Sequence, residues 1–176
     1  MQPSLAVPQR MQMPKKVTLI TDGACIGNPG PGGWACILRY GEHKKELYGS
    51  EPRTTNNRME LKAVIAGLSA LKEPCAVLVT TDSKYVKQGL TEWLERWKKR
   101  SWVRKVKGLP GTQPVKNRDL WEQLDALKSK HSITLEWVKG HADHPDNNRC
   151  DRLATKAARK QLSIESCAVP LRRGRS

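Results

Sequence analysis

The sequence predicts an α/β fold: one mixed sheet of five strands with helices on its faces. Three short runs rich in β-branched or aromatic residues follow one another between Val17 and Gly49, joined by Gly-rich or turn-like segments, as an antiparallel meander requires. Two later apolar runs, at 76–81 and 133–137, are separated by segments of helical period, the pattern of strands reached through helices. The chain has 176 residues, enough for one domain with a real core and too few for two ordinary ones.

The elements follow in order. Val17 to Thr21 reads as a strand that stops at Asp22-Gly23, and the run Gly27-Asn28-Pro29-Gly30-Pro31-Gly32-Gly33 reads as a tight irregular turn. Trp34 to Tyr40 is a second strand, and Lys45 to Gly49 a third. From Met59 to Leu71 the period becomes helical, with Val64, Gly67, Leu68 and Leu71 on one stripe. Ala76 to Thr81 is a buried strand; short helices follow at 83–88 and 90–99, and another from Asn117 or Arg118 to about Lys130. Ile133 to Trp137 is the fifth strand, and the last helix covers Asn147 to Gln161.

Charge narrows the function classes. The formal net charge is +15, and a polyanion is the simplest partner for such a surface, nucleic acid first and an acidic membrane second. No run of about 18 apolar residues appears, and Leu5-Ala6-Val7 is too short for a secretory core, so a cytoplasmic protein is expected. The five cysteines are scattered, odd in number and without a CxxC pair, which fits reduced thiols.

One local echo points to chemistry: an apolar strand ends in Thr21-Asp22-Gly23 and another in Thr81-Asp82-Ser83. Ligands of open α/β sheets collect beyond such strand ends, and adjacent strands lie only about 4.8 Å apart, so two adjacent parallel strands would bring both carboxylates to one cation. Asp is also a common turn residue; the pair together favours a shared site. Glu60 lies on the apolar stripe of its helix, where an acid is costly unless something positive meets it. It also fits a capping box with Asn57 as N-cap. Asp151, ahead of Leu153, Ala154, Ala157 and Ala158, reads as an acid in a first helical turn or as a fourth ligand. Converging carboxylates repel unless a hard divalent ion joins them, and Mg²⁺ suits such a cluster open to a phosphate backbone. Two such ions would serve phosphodiester hydrolysis.

His141 lies in the loop before the last helix, placed to carry protons near neutral pH. With His144 and Cys150 it also permits a zinc reading, although a fourth ligand is missing. Between Arg96 and Arg118 there is no acid and there are nine cations, with Trp97 and Trp102 interleaved, a mixture suited to tracking phosphates. Trp93 and Trp97 also share a helical stripe with Leu90 and Leu94, which makes them equally candidates for the core.

These motifs, from Thr21-Asp22-Gly23 through 27–33, 53–61, 81–86 and Trp137-Val138-Lys139-Gly140-His141 to Cys150-Asp151, resemble bacterial-type ribonuclease HI over roughly Val17 to Lys160. The resemblance implies a ribonuclease H-like fold, with the first three strands antiparallel and the fourth and fifth parallel to the first. It implies an endonuclease that hydrolyses the RNA strand of RNA/DNA hybrids, leaves 5'-phosphate and 3'-hydroxyl ends, and removes hybrids and RNA primers. Asp22, Glu60, Asp82 and Asp151 would bind two Mg²⁺ ions, with Mn²⁺ a substitute; Asp22 would bridge them, and His141 would assist proton transfer or product release. Asn28, Asn56, Asn57 and Lys84 would lie along the minor groove. Arg53, Thr55 and Asn117 would take a DNA phosphate, while Trp93, Trp97, Lys98, Lys99, Arg100 and Trp102 would form a basic protrusion on the DNA strand.

Residues 1–14 would be a flexible leader, 15–162 the catalytic domain and 163–176 a disordered basic tail. A monomer without an obligatory protein partner or membrane contact is expected. Two other readings are a hybrid-binding module that has lost cutting and a different nuclease on the same fold. Asn148 stands where close relatives often carry Glu, Lys84 where they often carry Gln, and the loop 108–113 is longer than in those relatives.

Overall fold

The computed structural model describes residues 13–139 and 144–168. Strand β1 (Lys15–Cys25) has β2 (Gly30–Tyr40) and β4 (Cys75–Thr81) as its neighbours. The order across the sheet is β3-β2-β1-β4-β7, with β3 (His43–Thr54) at one edge and β7 (Ser132–Trp137) at the other. The pairs β1/β2 and β2/β3 are antiparallel, while β1/β4 and β4/β7 are parallel, so the expected mixed five-stranded sheet is present.

Helices cover both faces because side chains alternate along each strand. Leu19 packs under α1 (Asn56–Ser69), in a cluster with Leu61, Val64 and Leu68 that continues to Trp121 and Leu124 of α4 (Arg118–Lys128). Its neighbour Ile20 points the other way, into a smaller cluster with Ala35, Ile37, Cys150, Leu153 and Ala154 under α5 (Pro145–Ala168). The segment after β4 winds as α2 (Lys84–Gln88), one turn of π-helix (Gly89–Trp93) and α3 (Leu94–Lys99). Among the described residues no helix is long and apolar enough to cross a membrane.

Several boundaries differ from the sequence expectation, each for a local reason. Strand β1 does not stop at Asp22: its ladder with β4 ends at Thr21↔Thr81, but its ladder with β2 runs on to Cys25↔Gly32. The glycine-rich run is correspondingly not all turn, since Gly30–Gly33 already belong to β2, with an irregularity between Gly30 and Gly32. Gly33 is needed there because a Cβ would sit 2.7 Å from the Ala158 amide nitrogen of α5. The third strand extends to Thr54, and α1 starts at Asn56 with Thr55 as N-cap, its hydroxyl accepting from the Arg58 amide at 3.4 Å. The capping box of Asn57 with Glu60 is therefore not formed.

Helix α5 begins at Pro145, a residue whose missing N–H costs nothing in a first turn, so Asp151 falls in the second turn. The helix continues to Ala168, which makes residues 163–168 helical rather than part of an irregular tail; the first helix breaker beyond Gln161 is Pro170. The leader and residues 169–176 lie outside the described residues, apart from Met13 and Pro14. The long loop after Trp102 closes as an unexpected two-stranded ribbon, β5 (Val103–Arg104) with β6 (Gln113–Pro114).

Candidate active site

Three elements bring three acids together. The parallel ladder of β1 and β4 ends at Thr21 and Thr81, and the residue that follows each is an Asp. The sequence echo is thus a spatial one: Asp22 and Asp82 stand side by side because their strands are neighbours in register. Glu60 arrives from the first turns of α1, which can come this close only because residue 23 is Gly. A Cβ on Gly23 would lie 2.6 Å from the Met59 carbonyl carbon and within contact distance of the Glu60 amide nitrogen. Carboxylate oxygens of Asp22, Glu60 and Asp82 all lie within 4.8 Å of one another.

Their electrostatics are strained. Asp22 is 7% exposed and Glu60 5%, so both acids sit in a poor solvent for charge. Burial, then the charge of Asp82, pushes Asp22 up from 3.8 to about 7, against the Gly23 amide that bonds its Oδ1 at 2.7 Å. Burial followed by Asp22 and Asp82 raises Glu60 well above the usual carboxylate range. Asn56 Nδ2 reaches Glu60 Oε1 at 3.5 Å, while the buried Oε2 has no hydrogen-bond partner. A hard divalent cation supplies what this oxygen set lacks.

Asp151 lines the same cleft, about 230 Å³ in volume, and accepts a hydrogen bond from Thr155 at 3.5 Å. It stands outside the close triad. Asn147, which the sequence reading passed over, also lines the cleft; it is 3% exposed and its Oδ1 lacks a partner. The signal was its place one helical turn before Asp151, on the same face. His141 lies outside the described residues. The zinc alternative gains no support from the described residues: Cys150 is fully buried on the sheet-facing side of α5, burial raises its thiol far above the normal range, and the Nδ1 of His144 accepts from the Asn147 amide at 3.2 Å.

The residues expected to touch nucleic acid fall into distinct groups around this cleft. The Oδ1 of Asn28 accepts from the Asn56 amide at 2.9 Å, which ties the 27–29 turn to the start of α1. Arg53 and Asn57 are exposed, and Thr55 is half-buried. Asn117 has a left-handed backbone (φ 57) and donates to the Tyr85 hydroxyl at 3.1 Å. Trp93 and Trp97 are half-buried: their rings lie 5.5 Å apart among Tyr85 and Trp121, and both line a cleft of about 500 Å³ that also receives Arg96, Arg100, Arg104 and Lys116. Trp102 carries Arg118 over its ring at 5.6 Å. Lys98 is paired with Asp125 at 3.0 Å, so in this group Lys99 and Arg100 are the cations without a carboxylate partner among the described residues.

Comparison with known proteins places this geometry. The family model for RNase H matches residues 14–159. A protein named Ribonuclease H from Solibacter usitatus (strain Ellin6076) is 59% identical over 147 residues, covering 84% of this chain and 97% of the relative. Another of that name, from Aeromonas hydrophila, is 56% identical over 159 residues, 90% of this chain and 100% of the relative. Among solved structures, LC9-RNase H1, described as a type 1 RNase H with the type 2 active-site motif, superposes with a TM-score of 0.74 at 31% identity, over 86% of this chain and 75% of the other. With a family model spanning nearly the whole sheet and its helices, this chain belongs to the ribonuclease H family.

Proposed function

We propose that this chain cuts the RNA strand of RNA/DNA hybrids at the carboxylate cleft, with Asp22, Glu60, Asp82 and Asp151 holding two divalent cations, Mg²⁺ by preference and Mn²⁺ as a substitute. The observation that carries this reading is the triad within 4.8 Å, two of whose acids are buried with raised pKa and one of whose oxygens is unpartnered. When bound, the ions supply Lewis acidity to an attacking water and to the departing 3'-oxygen. The chain's own residues do the rest. Asp22, on the central strand and within 4.8 Å of both Glu60 and Asp82, would serve both ions, and Asp151 borders the cleft from α5. Asn56 steadies Glu60. His141 would take up or deliver the proton at the leaving side.

Discrimination is expected from backbone and sugar. Asn28, Asn56, Asn57 and Lys84 would face the minor groove, where 2'-hydroxyls mark the RNA strand. Arg53, Thr55 and Asn117 would hold a DNA-strand phosphate. Trp93, Trp97, Trp102 and the cations of the protrusion would follow the DNA backbone without reading its sequence. Products would carry 5'-phosphate and 3'-hydroxyl ends, and the enzyme would act as a cytoplasmic monomer in clearing hybrids and RNA primers.

The test is incubation of the purified chain with end-labelled hybrid, RNA duplex and DNA duplex, in Mg²⁺ and in chelator. Cleavage confined to the RNA of the hybrid and abolished by chelation is expected. Binding without cutting would leave only a hybrid-binding module, and cutting of duplex DNA would point to a different nuclease. A second measurement addresses the protrusion: Lys99→Ala with Arg100→Ala should weaken hybrid binding and lower the slope of log K against log salt by about 1 per lost phosphate contact. An unchanged slope would remove the protrusion from the interface.

A further inference from the structure

A second cationic feature adjoins the acids where α2 meets the end of β7. Strand β4 lies between β1 and β7, so Asp82 at its end faces Asp22 on one side and Trp137, the last residue of β7, on the other. The Trp137 indole N–H donates to the Asp82 carbonyl at 2.9 Å, and the Val138 amide donates to the Thr81 carbonyl at 3.0 Å. The ring is held against the strand end that carries Asp82, yet it remains 36% exposed.

Two exposed lysines lean on that ring. Lys84 and Lys87 lie three residues apart on α2, on one face of the helix. Their ammonium nitrogens stand 5.9 and 5.4 Å from the Trp137 ring centroid. Among the described residues neither has a carboxylate within ion-pair distance. The nearest acid on β7, Glu136, points to the opposite face and accepts from Thr80 at 3.1 Å. Two like charges sharing one indole repel each other, and the ring's quadrupole offsets only part of that. The charge that would satisfy both is a phosphate.

We infer that Lys84, Lys87 and Trp137 form a seat for the RNA-strand phosphate next along from the one at the carboxylates. Trp137 is its positioning residue: one edge anchors the Asp82 main chain and its face sets both ammonium groups. The acids take the scissile phosphate, and the seat begins two residues beyond Asp82, so one strand serves both. This rests on the hybrid-cutting reading. It adds Lys87 and Trp137, and it gives Lys84 a phosphate rather than a groove edge.

The test walks a single uncharged methylphosphonate along the RNA strand of a short hybrid and measures binding and cleavage by the full chain. Wild type should lose about 5- to 10-fold in affinity when the neutral linkage falls at one position adjoining the cut. In Lys84→Gln/Lys87→Gln that position should become insensitive, while sensitivity at the protrusion's phosphates is retained. Trp137→Leu should blunt the same position, and Trp137→Phe, which keeps a ring, should restore part of it. A wild type that cuts hybrid but shares its methylphosphonate profile with the double lysine variant overturns the seat alone. A wild type that does not cut hybrid overturns the nuclease reading, and the seat with it.

Discussion

Exchanging Asp22 for Asn is expected to lower hybrid cleavage by about 10³-fold or more while leaving hybrid affinity within a few-fold of wild type. The reasoning is spatial. Asp22 is the acid on the central strand, with Glu60 and Asp82 both within 4.8 Å, so its charge bears on any cation the cleft holds. A loss of about 10³ corresponds to roughly 4 kcal/mol of transition-state stabilisation, the scale expected when a site loses the group that holds its metal. The affinity should survive because the contacts expected to hold the hybrid, from Asn28 to the protrusion, lie outside the triad. Single-turnover cleavage and direct hybrid titration measure the two effects separately, and wild-type rates in Asp22→Asn would exclude Asp22 from the site.

The second large effect is on stability without metal. Asp22 has a folded pKa of about 7 against 3.8 for the ordinary group, so the unfolded chain gives up this proton first as pH rises. Its contribution to the fold is therefore fully present below about pH 4 and is lost as pH rises through about 7. The gap, at about 1.4 kcal/mol per pH unit, sets an upper limit of about 4 kcal/mol for Asp22, part of which it shares with Glu60.

Other groups run the opposite way. Asp146, Asp119 and Glu46 are held low by Arg39, Arg58 and Arg149, and their stabilisation is lost only in acid, below the window in question. His131 is kept low by burial, and its contribution is lost as pH falls from about 6.5. The difference between wild type and Asp22→Asn isolates the acid. In chelator, the variant should gain stability over wild type progressively from pH 5 to pH 8, and Mg²⁺ should raise the wild-type Tm more at pH 8 than at pH 5. Melting curves in which the two proteins keep a constant gap across that range would refute the linkage.

Packing beneath the site sets a third expectation. Gly23→Ala should destabilise the protein by about 1–3 kcal/mol and lower metal affinity, because the new methyl meets the backbone of α1 at Met59 and Glu60 and pushes Glu60 away from Asp22. A stable Gly23→Ala protein with unaltered cation titration would show that α1 can shift without cost.

Much of this was legible from residue order. The strands at 17–21, 34–40, 76–81 and 133–137 announced themselves by β-branched runs, and the Thr-Asp echo marked the two aspartates that meet at the cleft. Glu60 was visible as an acid on an apolar stripe. The errors lie where backbone and tertiary context override local preference. Asp22-Gly23 has the composition of a turn, yet β2 supplies a continuing ladder on one side. Thr55 rather than Asn57 caps α1, which frees Glu60 to face the cleft. Asn147 carries no motif of its own and gained meaning only from its burial beside Asp151.

By itself the sequence determined most of the elements, which side chains are chemically able to hold a cation, and that a surface of charge +15 suits a polyanion, since periodicity, residue type and net charge are local or additive properties. Tertiary structure alone decided that β1 and β4 are neighbours in register, that α1 approaches over Gly23, and that Trp137 gathers two lysines beside Asp82. Those are distances between residues remote along the chain, and they are set by which faces pack together.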